Sequence, residues 1–254
     1  RVIAPFKSAD EITNLAMLKI DRSQKPFFLF LHYWDTHFPF PTIKYEKSES
    51  EDDLKRTLDG VRSKKEKEYL KVRIADSGIY TVQSLREKYD LSIKVIDEQI
   101  GRVYDFLKKE GILDDTIIFI LGDHGMSINE HGIFFNPSGL YEDSIKSPFL
   151  VRIPGLERKE INEFVQNIDI VPTILDFLEL KSEDKFDGKS LIPLIKNNQP
   201  SRDEIISYDG LCEDIAAVRT KNKKLIVAND NFCNLCKGHH HEKVEEYDLE
   251  KDPS

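Results

Sequence analysis

Positive charge is the first shortage in this chain. Its 254 residues carry 37 Lys and Arg against 46 Asp and Glu, a formal net charge of −9. A sequence-independent nucleic-acid binder needs a basic surface for the phosphates, so that class is excluded as a first reading, and a basic membrane-surface role goes with it. Long apolar runs are also missing. None approaches the roughly 18 to 20 residues that a spanning helix requires, and the opening residues have no charged-then-apolar secretion pattern. Cysteine is scarce and odd in number, three in all. That argues against a secreted disulfide framework and leaves a cytoplasmic location as the expectation. An initiator Met is absent as well: the chain opens at Arg1 and closes at Ser254. The expectation is therefore a piece of something longer, for which a missing leader says nothing of location.

What is present is the composition of a soluble globular protein, 39% hydrophobic and 33% charged. A chain of this length buries roughly 70% or more of the surface its unfolded form exposes, enough for a real core. The run Phe27-Phe28-Leu29-Phe30-Leu31 is continuously apolar, the pattern of a strand buried on both faces. It leads into a polar and aromatic loop, His32 to Pro41, stiffened by Pro39 and Pro41. Residues 46 to 71 are so rich in charge that they read as a solvated helix or mobile insertion. From Tyr89, the positions Tyr89, Ile93, Ile96, Ile100, Val103 and Leu107 recur at spacings of three and four, predicting a helix with one buried stripe. Glu110-Gly111 stops it, and Thr116 to Leu121 is a second fully apolar strand.

Helix followed by buried strand is the mark of an α/β fold with a parallel sheet. A short helix over Gly139 to Ser144, a strand over Phe149 to Ile153 and a helix with the stripe Ile168, Val171, Ile174, Leu175 and Leu178 continue the pattern. Past about residue 200 the pieces are hairpin-length, Glu204 to Tyr208, Ile215 to Arg219 and Lys224 to Ala228. Residues 1–200 therefore read as an α/β domain and 201–254 as a small antiparallel subdomain.

The strongest chemical constellation follows the strand at 116 to 121: Gly122-Asp123-His124-Gly125, then Glu130-His131-Gly132. Ligands gather at the carboxyl ends of strands in such sheets, and a carboxylate beside an imidazole there can share a divalent ion. Asp and Gly are also ordinary turn residues, and His124 can equally be a capping histidine. His37 sits in the loop after the first apolar run, where it can donate a proton to a leaving-group oxygen or bind an anion. The bland alternative is that His32 and His37 decorate an aromatic loop. Cys233-x-x-Cys236 next to His239, His240 and His241 is half of a structural zinc site, with Cys212 a possible partner, or else a loop tip that binds metal only incidentally.

These blocks, taken in order, carry a resemblance: Phe27 to Leu31 with Thr36-His37-Phe38-Pro39, Leu121-Gly122-Asp123-His124-Gly125, Glu130-His131-Gly132, Tyr141 to Gly155, Asp169-Ile170-Val171-Pro172-Thr173, Asp187-Gly188-Lys189-Ser190-Leu191, and Tyr247 to Pro253. Together they resemble the second half of a sulfatase, within the alkaline phosphatase superfamily. The resemblance implies an alkaline-phosphatase-like, mostly parallel sheet flanked by helices. It implies hydrolysis of a small-molecule sulfate or phosphate ester with a divalent metal ion, calcium or manganese or zinc. On it, Asp123 and His124 match the metal ligands of this half, His37 the histidine that assists the leaving group, and Asn136 and His131 substrate-binding positions.

The departures are informative. Many sulfatases place a Lys where this chain has Asn136, which can hydrogen-bond an anion without neutralising it. A subgroup with Asp-His-His-Gly is not matched by Asn136-Pro137-Ser138-Gly139, and no cysteine stands in a Cys-x-Pro-Ser-Arg context. The family's first half, with its opening carboxylates and nucleophile, is expected to lie outside these residues. A phosphatase or phosphodiesterase of the same superfamily is the nearest alternative, supported by an Asp-His rather than Asp-Asn pair. A non-catalytic scaffold is the alternative from another class.

Overall fold

The computed structural model describes residues 7–21, 26–45, 49–59, 61, 64–75, 79–210, 214–230, 232 and 242–252. Helix α1 spans Ala9–Asp21 and packs on α4, Val82–Lys109. Ser8 and Glu11 start α1 with a reciprocal pair of bonds, Ser8 N–H to Glu11 and Glu11 N–H to the Ser8 hydroxyl. Thr81 caps α4 by accepting the Ser84 N–H, and the chain leaves at Gly111 with φ of 68°, as the Glu110-Gly111 stop predicts. The buried face of α4 is rotated from the expected stripe: Leu85, Lys88, Ser92, Gln99 and Leu107 are buried, whereas Ile93 is exposed.

The charged segment is a correction. It forms α2, Glu51–Asp59, and α3, Lys64–Ala75. Its few apolar residues, Leu54, Leu58, Val61, Leu70 and Ile74, join Phe38, Phe40, Leu85, Phe134 and Phe135 in the main core. Leu54 with Leu58 and Leu70 with Ile74 are i,i+4 pairs, enough for a narrow buried stripe while the charges take the other faces.

The α/β class holds, but the described strands pair antiparallel throughout. Strand β1, Ile118–Leu121, pairs with β2, Phe149–Arg152, in register Ile118 to Arg152. The Phe27 to Leu31 run joins no strand among the described residues, and Phe28 and Phe30 are 81% and 75% exposed rather than buried. A fully apolar run says that two faces want cover; it does not supply the neighbours. The same holds for α6, Ile170–Phe177, where Val171 and the flanking Ile168 and Leu178 are exposed while Asp169 and Thr173 are buried.

Between these elements lie α5, Glu142–Ile145, and, later, α7, Ile192–Asn197. The C-terminal part is the expected antiparallel sheet with one strand more than predicted: β3 Ile205–Asp209, β4 Asp214–Arg219, β5 Lys223–Asp230 and β6 Val244–Asp248, in that order. Ile215, Ala217, Ile226 and Ala228 alternate inward on Ile133, Leu140 and Tyr141. No helix among the described residues is long and apolar enough to cross a membrane.

Candidate active site

The turn after β1 presents the two metal-ligand candidates. Asp123 Oδ1 accepts the His124 backbone N–H at 3.0 Å, and the other oxygen, Oδ2, lies 3.6 Å from His124 Nε2. His124 Nδ1 is 2.7 Å from the Gly125 carbonyl, so Nδ1 carries the proton and Nε2 offers its lone pair. A carboxylate oxygen and an imidazole nitrogen 3.6 Å apart can each reach one cation at the ~2.0–2.2 Å usual for zinc. Both side chains are exposed, Asp123 77% and His124 51%. The pair fits a metal as a partial shell only, because no group of three ligand-type residues occurs among the described residues.

His37 belongs to the same neighbourhood. Its ring stacks on Trp34 with centroids 4.3 Å apart, and Nδ1 is 2.8 Å from the Phe38 carbonyl. Burial lowers its pKa; the Phe38 carbonyl opposes, Arg73 and His124 add to the lowering, and Asp123 partly offsets it. Asp123 and His124 are thus near enough to act on the His37 charge, though neither is bonded to it.

The next two loops are held behind them. Phe38 stacks on Phe135 at 4.9 Å, which ties the residue after His37 to the residue before Asn136. Asn136 is buried, exchanges two backbone bonds with Ser127 and accepts the Ser138 N–H on Oδ1. His131 is engaged elsewhere: its ring lies flat on Tyr141 at 3.7 Å and edge-on to Tyr247 of β6. Cys233, Cys236 and His239, with Cys212, lie outside the described residues.

A family model described as sulfatase matches residues 5–180. The chain belongs to the sulfatase family. A second model, described as N-sulphoglucosamine sulphohydrolase, C-terminal, matches residues 129–254. An arylsulfatase of Clostridium perfringens is 32% identical over 243 residues, 90% of this chain and 48% of that protein. The multifunctional alkaline phosphatase superfamily protein PehA of Trinickia caryophylli is 27% identical over 262 residues, 93% of this chain and 50% of its own length. This sulfatase chain thus spans about half the length of these curated relatives. The phosphonate monoester hydrolase of Agrobacterium radiobacter shares its fold, with a TM-score of 0.64 at 20% identity, covering 99% of this chain and 57% of that one.

Several residues around this candidate site carry no sequence signal of their own. Asn167 donates its side-chain amide to the carbonyls of Gly122 and Asp123, both at 3.1 Å, and Ser147 donates to Gly122 as well. Together they fix the backbone under Asp123 and His124. Arg73 donates to the Phe38 carbonyl at 2.6 Å and lies over the Phe38 ring. Buried Lys88 donates to the Pro39 carbonyl at 3.2 Å. Gly125 is needed for close approach: its N–H donates to Ser144 at 2.7 Å, and an added Cβ would stand 2.0 Å from the Asp143 carbonyl oxygen. Gly125→Ala is therefore expected to cost about 3 kcal/mol, the upper end for overpacking, because the obstacle is backbone. Denaturant unfolding checks this; a loss under about 1 kcal/mol would show that the turn gives way freely.

Proposed function

We propose that this chain supplies the metal ligands and the leaving-group histidine of a metal-dependent hydrolase that cleaves small-molecule sulfate esters. The observation that carries the reading is the convergence of Asp123 Oδ2 and His124 Nε2, 3.6 Å apart, in the electrostatic neighbourhood of His37. One nitrogen in the set favours manganese or zinc over calcium, which takes oxygen ligands. Held by Asp123 and His124, a divalent ion would supply Lewis-acid withdrawal of charge from the ester oxygens, with the nucleophile expected from outside these residues. The Asn136 side-chain amide, whose oxygen accepts the Ser138 N–H, would add a neutral hydrogen bond to the ester through its Nδ2.

His37 has Nδ1–H committed to the Phe38 carbonyl, so its neutral form presents a lone pair at Nε2. Only the imidazolium presents an Nε2–H to a leaving oxygen. Because the pKa of His37 is lowered from the usual value of about 6.5, kcat/KM is expected to fall along an alkaline limb centred below that value. Removing the Arg73 cation favours the imidazolium, so Arg73→Gln should move the limb to higher pH. An Arg73→Gln profile superimposable on wild type would remove His37 from that limb.

A second reading is favoured by the Asp-His pair and by the neutral Asn136: cleavage of a phosphate or phosphonate ester. The two separate on turnover of aryl sulfate, aryl phosphate and aryl phosphonate monoesters by the full-length protein with divalent metals added back. A higher kcat/KM for the sulfate supports the first; preference for a phosphorus ester overturns it. No turnover of any of them would support the scaffold.

A further inference from the structure

We propose that Asp35 is the positioning residue for His37, holding the turn that carries the imidazole to the start of α1 and to the far end of its own loop. The inference rests on the leaving-group role given to His37 above.

Trp34 to His37 is a tight turn closed by the His37 N–H on the Trp34 carbonyl at 3.0 Å. Its first and last residues carry the two stacked rings. Asp35 is the second residue of that turn and is 1% exposed. Its Oδ1 accepts two hydrogen bonds from distant points of the chain. One is the Ala9 backbone N–H at 3.1 Å, from the first residue of α1. The other is the Thr42 hydroxyl at 2.6 Å. The Ala9 N–H is one of the donors that a helix start leaves without an intrahelical partner, and the positive end of the helix favours the carboxylate. The bond to Thr42 closes the loop across its ends, with His37 between them.

On the exit side, Arg73 and Lys88 hold the Phe38 and Pro39 carbonyls. Asp35 is the matching tie on the entry side. Among the described residues its second oxygen, Oδ2, is buried without a hydrogen-bond partner. A buried oxygen in that state opposes folding, so stability alone does not account for a carboxylate here. The geometry it imposes on the turn does.

Trp34 is the sole tryptophan of these 254 residues, so the difference in emission between each full-length variant and wild type reports the stack. An imidazole stacked on indole quenches its emission, most strongly when protonated, and His37→Ala, read alongside wild type at mildly acidic pH, sets the unquenched level. Asp35→Ala is expected to raise emission toward that level. Thr42→Val, which removes one bond and keeps the carboxylate, should raise it less. Asp35→Asn keeps an acceptor at Oδ1 and should restore most of the quenching. In the full-length protein, Asp35→Ala should lower kcat by about 10- to 100-fold, the scale of a small misplacement of a catalytic group, with KM within about twofold. Asp35→Asn should recover most of that rate.

Wild-type emission and kcat in Asp35→Ala, or in Thr42→Val where the alanine variant does not fold, would overturn the proposal. So would a lowered melting temperature with emission and kcat intact, which marks a purely structural cap. If the full-length wild type turns over no ester, the functional reading fails while the emission series still decides whether Asp35 positions the ring.

Discussion

Asp123→Ala in the full-length protein is expected to lower kcat for an aryl sulfate by about 10³-fold or more. Lewis-acid stabilisation by a bound metal supplies several kcal/mol of the transition-state free energy, and about 4 kcal/mol corresponds to that factor. The carboxylate is the hard, charged member of the ligand pair, and the other oxygen already shapes the turn by accepting the His124 N–H. Because the side chain is 77% exposed, its removal leaves no cavity, and the thermal midpoint should stay within a few degrees of wild type. Loss of rate without loss of fold is the signature to look for. Activity within about threefold of wild type, with metals at saturating concentration, would sink the assignment of Asp123 as a ligand.

Glu142→Ala is expected to have the largest effect on stability, about 3–5 kcal/mol, the usual cost of removing one partner from a buried ion pair. Glu142, on the first turn of α5, accepts from Arg219 Nε and from Lys224 Nζ, each at 3.0 Å. Lys224 is almost fully buried, so the substitution leaves a cation of β5 without its anion. Burial opposes the Glu142 charge, but the hydrogen bonds from Arg219 and Lys224 outweigh it and hold the carboxyl below the usual carboxylate range. The carboxyl pKa is therefore lower folded than unfolded. The stability it contributes is present above the ordinary carboxylate pKa and is lost as pH falls through the lowered one. Chemical denaturation at neutral pH checks the magnitude, and a loss below about 1 kcal/mol would mean that the triad is dispensable. Glu142→Gln, which keeps the shape and one acceptor, should fall between.

Much of the architecture was legible in the order of apolar runs and stops. The long helix through Tyr89 to Leu107, the strand before Gly122 and the C-terminal hairpins all lie where period and turn chemistry put them. What period cannot tell is which faces find a partner. Phe28, Phe30, Ile168 and Val171 are exposed because apolar spacing encodes a preference for burial and not the element that satisfies it. The converse holds for the charged segment 46 to 71, where density of charge concealed Leu54 with Leu58, and Leu70 with Ile74 just beyond it, two i,i+4 pairs in the main core.

At the candidate site, Asp123, His124 and His37 stand out in the sequence because carboxylate and imidazole are an uncommon pairing at a strand end. Asp35, Arg73, Lys88 and Asn167 do not. Each acts through a bond to a backbone group or hydroxyl of another segment, and neither composition nor spacing records such a bond. His131 and Asn136 occupy intermediate ground: one is spent on a ring stack, and the side-chain oxygen of the other on a turn.

The segment from Ile133 to Tyr141 belongs to two cores at once. Ile133, Leu140 and Tyr141 face the C-terminal sheet, whereas Phe134 and Phe135 face the helical core. Neighbouring residues on one short stretch of chain cannot order and disorder independently, so the two cores are coupled into one cooperative unit. The amides of Ser127 and Asn136, which bridge that stretch to the strand-end turn, should exchange with solvent only through global opening. Melting of the small C-terminal sheet is then expected to carry the Asp123–His124 turn with it.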